Sequence, residues 1–338
     1  MIRIITVDDI RNLMRKVTLK NFILRLLDRL EKDFSRWNEF DKIPRLASHY
    51  PHGIIELMPI SDKDYYAYKF VNGHPGNPLE NKQTVVAIGT LADVKSGYPV
   101  LISEMTVLTA LRTAATSALA AKYLVAKNAH TFGIIGTGAQ SEFQVLAHHF
   151  ALGINKIFYY DIDANAMQKF FENLHTFGLE LEACRSAEEV VAKSRVLTTA
   201  TAKKANAKVV HAEWVQAGTH INGIGGDCPG KTELDPELVK NSKIVVEYSL
   251  QTEKEGEVQH IDRHKIYAEL WELVTGKKPG RESEQEITLF DSVGFALEDY
   301  SILRLVYSLA EEYHVGHMLD LIPGAKDPKD LYSLLNYK

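Results

Sequence analysis

The segment "TFGIIGTGAQSEFQVLAHHFALGINKIFYYDID", residues 131–163, constrains the fold more than any other part of the chain. An apolar run, "TFGIIG", enters a glycine turn and leads into a helical stretch, "TGAQSEFQVLAHHFALG". A second apolar run, "KIFYYDID", then ends in acids, and another helical stretch, "ANAMQKFFENLHTFG", follows. The alternation continues through "SRVLTTATA", "THINGIGG" and "KIVVEY" and fades after about residue 300. Strands and helices alternating at this length mean a parallel sheet wound with helices, an α/β architecture.

The glycine turn carries Gly136, Gly138 and Ser141 as G-x-G-x-x-S, between a strand and a helix. Gly136 permits the tight turn, Gly138 lets the backbone approach a pyrophosphate, and the helix start offers free N–H groups to phosphate. Serine in the third place loosens helix–strand packing slightly. Asp161 ends the next strand, where the ribose-binding acid of such a unit is expected. It would accept from both ribose hydroxyls and repel a 2′-phosphate, and no arginine follows it closely, so NAD rather than NADP is the expected cofactor. The alternative, a glycine turn beside an exposed Asp, does not account for the whole strand–turn–helix–strand–Asp order.

At 338 residues the chain is too long for one ordinary core. Residues 1–112 mix an amphipathic helix at about 18–34 with the strands "GIIELMPI" and "DYYAYKFVN" and a hairpin turning at "KSGYP". Residues 106–124, rich in Ala and Leu and free of Pro and Gly, read as a long helix. The expected division is an α+β domain of residues 1–112 with 312–338, and a nucleotide domain of residues 113–311. The net charge of −5 has no basic stripe, which argues against nucleic acid. No run approaches the roughly 20 apolar residues of a membrane helix, and "MIRIITVDDIRNL" has no apolar run of signal length. Cys184 and Cys228 form no CxxC, so a cytoplasmic enzyme without a disulfide framework is expected, and no metal.

Several charges stand in apolar surroundings. Arg112 is the only charged residue between Val107 and Ala121. A buried guanidinium needs an anion, either an internal acid or a substrate carboxylate. Lys69 interrupts "YYAYKFVNG", where an edge-strand lysine is the plainer reading. Arg45 follows Pro44, and Glu56 lies between apolar neighbours; each alone reads as structural. Together they suit an anionic, amine-bearing small molecule. "GGDCPGKTEL", residues 225–234, places Asp227 and Lys231 in a rigid, open loop, and on spacing alone Asp227 reads equally as a turn-capping acid. Cys228 reads as a small loop residue rather than a nucleophile.

"ASHYPHGIIELMPI", "YKFVNGHPGNP", "LADVKSGYPVLISEMTVLTALRTAATS", "GTGAQSEFQ", "GIGGDCPGKTELD" and "FDSVGFALEDY" resemble the ornithine cyclodeaminase/mu-crystallin family. The similarity runs from about residue 18 to 333. The glycine loop and Arg112 are family-wide, whereas "GGDCPGKTEL" and "VNGHPGNP" resemble the cyclodeaminase branch. The resemblance implies a Rossmann-type NAD-binding domain inserted after a substrate-binding and dimerisation domain, and a homodimer. It implies that Arg45, Lys69 and Arg112 hold the substrate carboxylate, that Asp227 is the catalytic acid/base, that Glu56 lines the pocket and that Val293 touches substrate. Thr84, Gly136, Gly138, Ala139, Gln140, Asp161, Thr201, Ile224, Gly225, Gly226, Lys231 and Ser292 would line the NAD site, with Arg112 and Asp227 beside it.

The activity so implied converts L-ornithine to L-proline and ammonia. Hydride leaves Cα, the δ-amine closes a ring on the resulting imine carbon, ammonia departs, and hydride returns to the same carbon. One carboxylate alternating between base and acid can serve the proton transfers. Other activities fit the scaffold: a ketimine reductase, an alanine dehydrogenase, a lysine cyclodeaminase, or a non-catalytic crystallin-like NAD binder. One methylene more in the substrate is worth only about 1–3 kcal/mol of discrimination.

Overall fold

The computed structural model describes residues 1–201 and 206–335. In chain order its strands are β1 (Ile2–Ile5), β2 (Asp41–Lys42), β3 (Leu46–Tyr50), β4 (Gly53–Ser61), β5 (Tyr65–Gly73), β6 (Ala87–Asp93), β7 (Pro99–Glu104), β8 (Thr131–Ile135) and β9 (Lys156–Tyr160). They continue as β10 (Glu180–Ala183), β11 (Val196–Thr199), β12 (Asn206–Val210), β13 (His220–Gly223), β14 (Thr232–Leu234), β15 (Lys243–Val246), β16 (Ile266–Glu269), β17 (Thr288–Asp291) and β18 (His317–Leu319). The helices are α1 (Val7–Val17), α2 (Leu19–Ser35), α3 (Thr106–Leu124), α4 (Ser141–Leu152), α5 (Ala164–Leu174), α6 (Ala187–Lys193), α7 (Pro236–Lys240), α8 (Ser249–Glu255), α9 (Leu270–Val274) and α10 (Ala296–Glu312). Among the described residues no helix is long and apolar enough to cross a membrane.

The amphipathic helix expected near residues 18–34 is α2, but α1 ahead of it escapes the sequence reading. Thr6 and Asp9 form a reciprocal capping box at the α1 start. Thr18, at φ 68°, ends α1 and caps α2 through its hydroxyl. Only Ile10, Leu13 and Val17 of α1 are buried, too short a stripe to stand out against its charges.

The first sheet has the order β18-β1-β7-β6-β5-β4-β2, with β3 paired on β4. Strand β5 lies between β4 and β6, so Lys69 is not an edge-strand residue as its sequence context suggested; its side chain is 1% exposed. Along β5, Ala67, Lys69 and Val71 are buried while Tyr66, Tyr68 and Phe70 are exposed, the period-two alternation of a sheet with one covered face. Helices α2 and α10 lie on the covered side.

The second sheet runs β10-β9-β8-β11-β13-β17-β15-β16, every pairing parallel. Strand order builds outward in one direction from β8 through β9 and in the other through β11. That reversal opens a crevice at the carboxyl ends of β8 and β11, where ligands of open α/β sheets bind. The two sheets share one apolar core, in which Trp37 stacks against Trp271 and meets Tyr248 and Phe295 at ring-centroid distances of 6.3, 5.8 and 5.6 Å. The fold is thus α/β, a Rossmann-type sheet joined to a mixed sheet.

Candidate active site

Strand β8 delivers the chain into the glycine loop. Gly136 has φ +97°, and a Cβ there would lie 2.5 Å from the Ala200 carbonyl oxygen after β11, so only glycine fits. Gly138 differs, because a Cβ on it would meet no atom within 4 Å. Helix α4 starts immediately beyond, and its N-cap residue Gln140 makes no side-chain capping bond. The buried Gln140 Oε1 has no hydrogen-bond partner among the described residues. Open space over Gly138 and an uncapped helix start together fit a dinucleotide phosphate, while the Gln140 oxygen, an acceptor, suits a hydroxyl of the dinucleotide. The close helix–strand contact expected at Ser141 lies elsewhere: a Cβ on Gly133 of β8 would strike Ser194 and Val190.

Asp161 follows β9 as expected, and both of its oxygens are already engaged. Its Oδ2 accepts from the Thr137 N–H at 2.7 Å, and Oδ1 from the Asp163 N–H at 3.0 Å. It therefore ties the glycine loop to the end of β9. Thr201 follows β11, Ile224 to Asp227 follow β13, and Ser292 and Val293 follow β17. All leave the carboxyl edge of adjacent parallel strands, so most of the expected cofactor residues share one rim. Thr84 is set on the first sheet's side, in the loop before β6, where its carbonyl accepts from the His74 N–H at 2.8 Å.

The glycines of the Asp227 loop have a cause that the sequence does not disclose. A Cβ on Gly225 would overlap the Glu233 carboxylate, and one on Gly226 would lie 2.6 Å from Glu257 Oε1. Glu233, on β14, accepts from the Thr201 N–H at 2.8 Å and from its hydroxyl. Glu257 accepts from the N–H groups of Glu233 and Leu234 at 2.8 and 3.0 Å. Asp291, ending β17, accepts from the Val258 N–H at 2.9 Å. Burial raises Glu233; burial with repulsion from Asp291 pushes Glu257 up to about 8, and burial with repulsion from Glu247 pushes Asp291 up to about 8. Glu233 and Glu257 form a floor under the loop, and Asp291 lies against Gly256 and Val258 beside Glu257. Above that floor Asp227 is about half exposed, with Lys231 Nζ 3.2 Å from Oδ1. Beside the loop a cavity of about 180 Å³ is bounded by His49, Tyr50, Gly53, Cys228, Pro229 and Lys231.

The lone charges converge. Arg45 Nη1 donates to both oxygens of Glu56 at 3.1 Å, its Nη2 donates to the carbonyls of Val293 and Gly294, and its Nε lies 3.1 Å from Glu255 Oε2. Burial opposes the charge on Arg45, but Glu56 and Glu255 outweigh it and its pKa rises. Lys69 Nζ meets Asp299 Oδ1 at 2.9 Å. Burial, with Arg112 nearby, brings Lys69 down to about 8. Arg112 Nη1 donates to Glu298 at 2.6 Å and its Nε lies 3.1 Å from Asp299. Gly294, at φ +78°, leaves room for that guanidinium, since a Cβ would overlap Arg112 Nη1. Among the described residues Arg112 Nη2 makes no hydrogen bond and Lys69 Nζ makes one, so both keep donors for an incoming carboxylate.

Arg45, Glu56, Lys69, Arg112 and Val293 are thus brought together around the Val293–Gly294 turn. The acids beside them, Glu255 next to Arg45 and Glu298 and Asp299 next to Arg112, were missed. So was buried Glu247, which accepts from the Ser292 hydroxyl at 2.6 Å and the Gly294 N–H at 3.1 Å. "FALEDY" reads as the acidic first turn of a helix and "QTEKEGE" as a solvated charge run, so neither segment signals a pocket. Burial pushes the Glu298 and Glu247 carboxyls up.

Comparison with known proteins agrees with this geometry. An ornithine cyclodeaminase of Agrobacterium fabrum (strain C58) is 50% identical over 331 residues, 98% of this chain and 94% of that protein. The structure of an archaeal alanine dehydrogenase dimer with bound NAD superposes with a TM-score of 0.87 at 34% identity, covering 95% of this chain and 99% of that one. A lysine cyclodeaminase structure, which addresses recognition of L-lysine, L-ornithine and L-2,4-diaminobutyric acid, gives a TM-score of 0.88 at 26% identity, covering 97% and 98%. Residues 7–314 match the family pattern itself. The chain belongs to the ornithine cyclodeaminase/mu-crystallin family.

Proposed function

We propose that this protein is an NAD-dependent ornithine cyclodeaminase that converts L-ornithine to L-proline and ammonia. The observation that carries the reading is the position of Asp227. It stands at the carboxyl edge of the parallel sheet, beside the turn that unites Arg45 and Arg112, in a chain 50% identical to an ornithine cyclodeaminase. The glycine loop, Asp161, Thr201, Ile224 to Gly226 and Ser292 would hold NAD, which when bound would supply hydride acceptance and return at Cα.

The remaining work falls to side chains. Arg112 and Lys69 offer their spare donors to the substrate carboxylate, a fork and a point charge that fix Cα in orientation. Arg45, committed to Glu56 and the Val293 and Gly294 carbonyls, shapes the pocket wall. Asp227 takes and returns protons as the leaving nitrogen departs, and Lys231 at 3.2 Å keeps its carboxylate aimed. Holding the nucleophilic amine near Cα makes ring closure intramolecular and fast.

The active species is a homodimer in the cytoplasm. Support for the dimer comes from the uncovered face of the first sheet, where Tyr66, Tyr68, Phe70 and Ile88 are 43, 37, 41 and 51% exposed. The solved archaeal relative is also a dimer. The division into residues 1–112 with 312–338 and residues 113–311 is retained with one change: α10 packs on α2 and β5, so it goes with the first unit. Residues 336–338 lie outside the described residues. The test is incubation of purified protein with L-ornithine and catalytic NAD. Proline and ammonia should form in equal amounts; accumulation of NADH with a keto acid instead would assign a dehydrogenase.

A further inference from the structure

Glu255 is the feature that the cyclodeaminase reading leaves unused. It ends α8, one residue before Gly256, and is 8% exposed. Its Oε2 lies 3.1 Å from Arg45 Nε, yet neither atom makes a hydrogen bond among the described residues. Arg45 is already bound through Nη1 to Glu56 and through Nη2 to two carbonyls, so Glu255 is not needed to fix it. The charged groups that act on Glu255 are Arg45, Glu56 from β4, Asp227 from the loop after β13, and Lys254 from its own helix. Asp227 is half exposed and has Lys231 at 3.2 Å, but Glu56 and Glu255, from separate elements, are both buried against the single charge of Arg45. A buried excess of negative charge is costly unless a cation or a proton joins it.

Resting on the cyclodeaminase reading, we infer that Glu255, with Glu56, is the subsite for the substrate's side-chain ammonium, and that Glu255 takes a proton from it before ring closure. An Nδ–H bond breaks, the proton passes to Glu255 Oε2, and the electron pair stays on Nδ for attack on Cα. The proton returns to the ring nitrogen once the ring carbon has been reduced, so the protein neither gains nor loses one. Burial, opposed by Arg45 and aided by Glu56 and Asp227, pushes the Glu255 carboxyl up to about 7, a poise suited to a base at neutral pH. The division of labour is then clear: Glu255 serves the attacking nitrogen and Asp227 the departing one. Alanine has no side-chain ammonium, so a dehydrogenase on this scaffold needs no such subsite.

The test compares wild type with Glu255→Gln, which keeps an acceptor toward Arg45 but no exchangeable charge. Binding is measured by calorimetry on protein loaded with NADH, so that oxidation cannot begin. The ligands are L-ornithine and L-norvaline, the same carbon chain without the δ-amine. Glu255→Gln should weaken ornithine binding at least tenfold and leave norvaline unchanged. Its turnover should fall roughly 10²–10⁴-fold. Activity should recover about tenfold per pH unit on raising the pH, as free amine forms without help. Wild-type turnover in Glu255→Gln, or equal loss of both ligands, would overturn the inference and leave Glu255 as a support for Arg45. If the variant does not fold, wild type decides: ornithine-over-norvaline preference should decline as pH falls through about 7, and a flat ratio would overturn it. Wild type that binds with this preference yet makes no proline would remove the cyclodeaminase reading and leave the ammonium subsite standing.

Discussion

Replacing Gly294 by alanine tests the link between backbone conformation and the carboxylate clamp. Gly294 has φ +78°, and a side chain in the left-handed region costs about 1–2 kcal/mol. The added Cβ would overlap Arg112 Nη1 and lie 2.8 Å from Nη2, so the guanidinium must move. Moving it breaks the 2.6 Å bond to Glu298, a charge-assisted contact, and such contacts contribute roughly 1.5–3 kcal/mol. Substrate loses its fork in the same step. At 1.4 kcal/mol per factor of ten, affinity for L-ornithine should fall roughly 10–100-fold. The strain should lower the melting temperature by about 2–8 °C, taking roughly 2–4 °C per kcal/mol for a domain of this size. Calorimetric titration of NADH-loaded protein and differential scanning fluorimetry measure the two effects. Gly138→Ala is the control, because its Cβ would meet no protein atom within 4 Å. It should leave melting nearly unchanged and weaken the dinucleotide instead. Wild-type ornithine affinity in Gly294→Ala would refute the coupling of this turn to Arg112.

Further outcomes follow from other contacts. Asp227→Asn keeps size and hydrogen bonding but exchanges no proton, so turnover should fall by roughly 10²–10⁴-fold with NAD and ornithine still bound, as single-turnover kinetics would show. Asp161→Ala should weaken NAD and erase its advantage over NADP in fluorescence titrations. Because Asp161 also holds Thr137 at 2.7 Å, a small loss of thermal stability without cofactor should accompany it. Asp291 and Glu257 sit at about 8 in the fold, against about 4 for ordinary carboxylates. The folded chain then holds protons that the unfolded chain has released. Their stabilising effect is full below about pH 4 and disappears as pH rises through about 8. Urea titrations should show wild type losing stability across that window and Asp291→Asn losing less; identical slopes would contradict the raised values.

How much of this was legible in the sequence depends on the kind of signal. The parallel sheet was plain because "TFGIIG", the glycine turn and "KIFYYD" carry period, punctuation and a terminal acid in order. Gly136 was read for the right reason, since its positive φ is a local requirement. Gly225 and Gly226 were read as lining the NAD site; in addition Glu233 and Glu257 occupy their Cβ space from 8 and 31 residues along the chain. No local pattern encodes that. Lys69 reads as an edge residue because the strand's neighbours are unknown until β4 and β6 close over it. Arg112 stood out as a lone charge, but its partners Glu298 and Asp299 lie at the start of α10, where acids are expected as helix caps anyway. Cations in apolar runs advertise themselves; the distant acids that neutralise them do not.

In the proposed reaction one carbon gives up and regains the same hydride. L-ornithine carrying deuterium at Cα should therefore yield L-proline that retains deuterium at Cα, with no free NADH accumulating, as read by mass spectrometry and absorbance at catalytic NAD. Label lost to the medium, or appearing in free NADH, would contradict internal return of the hydride and move the chain toward the dehydrogenase activity of its archaeal relative.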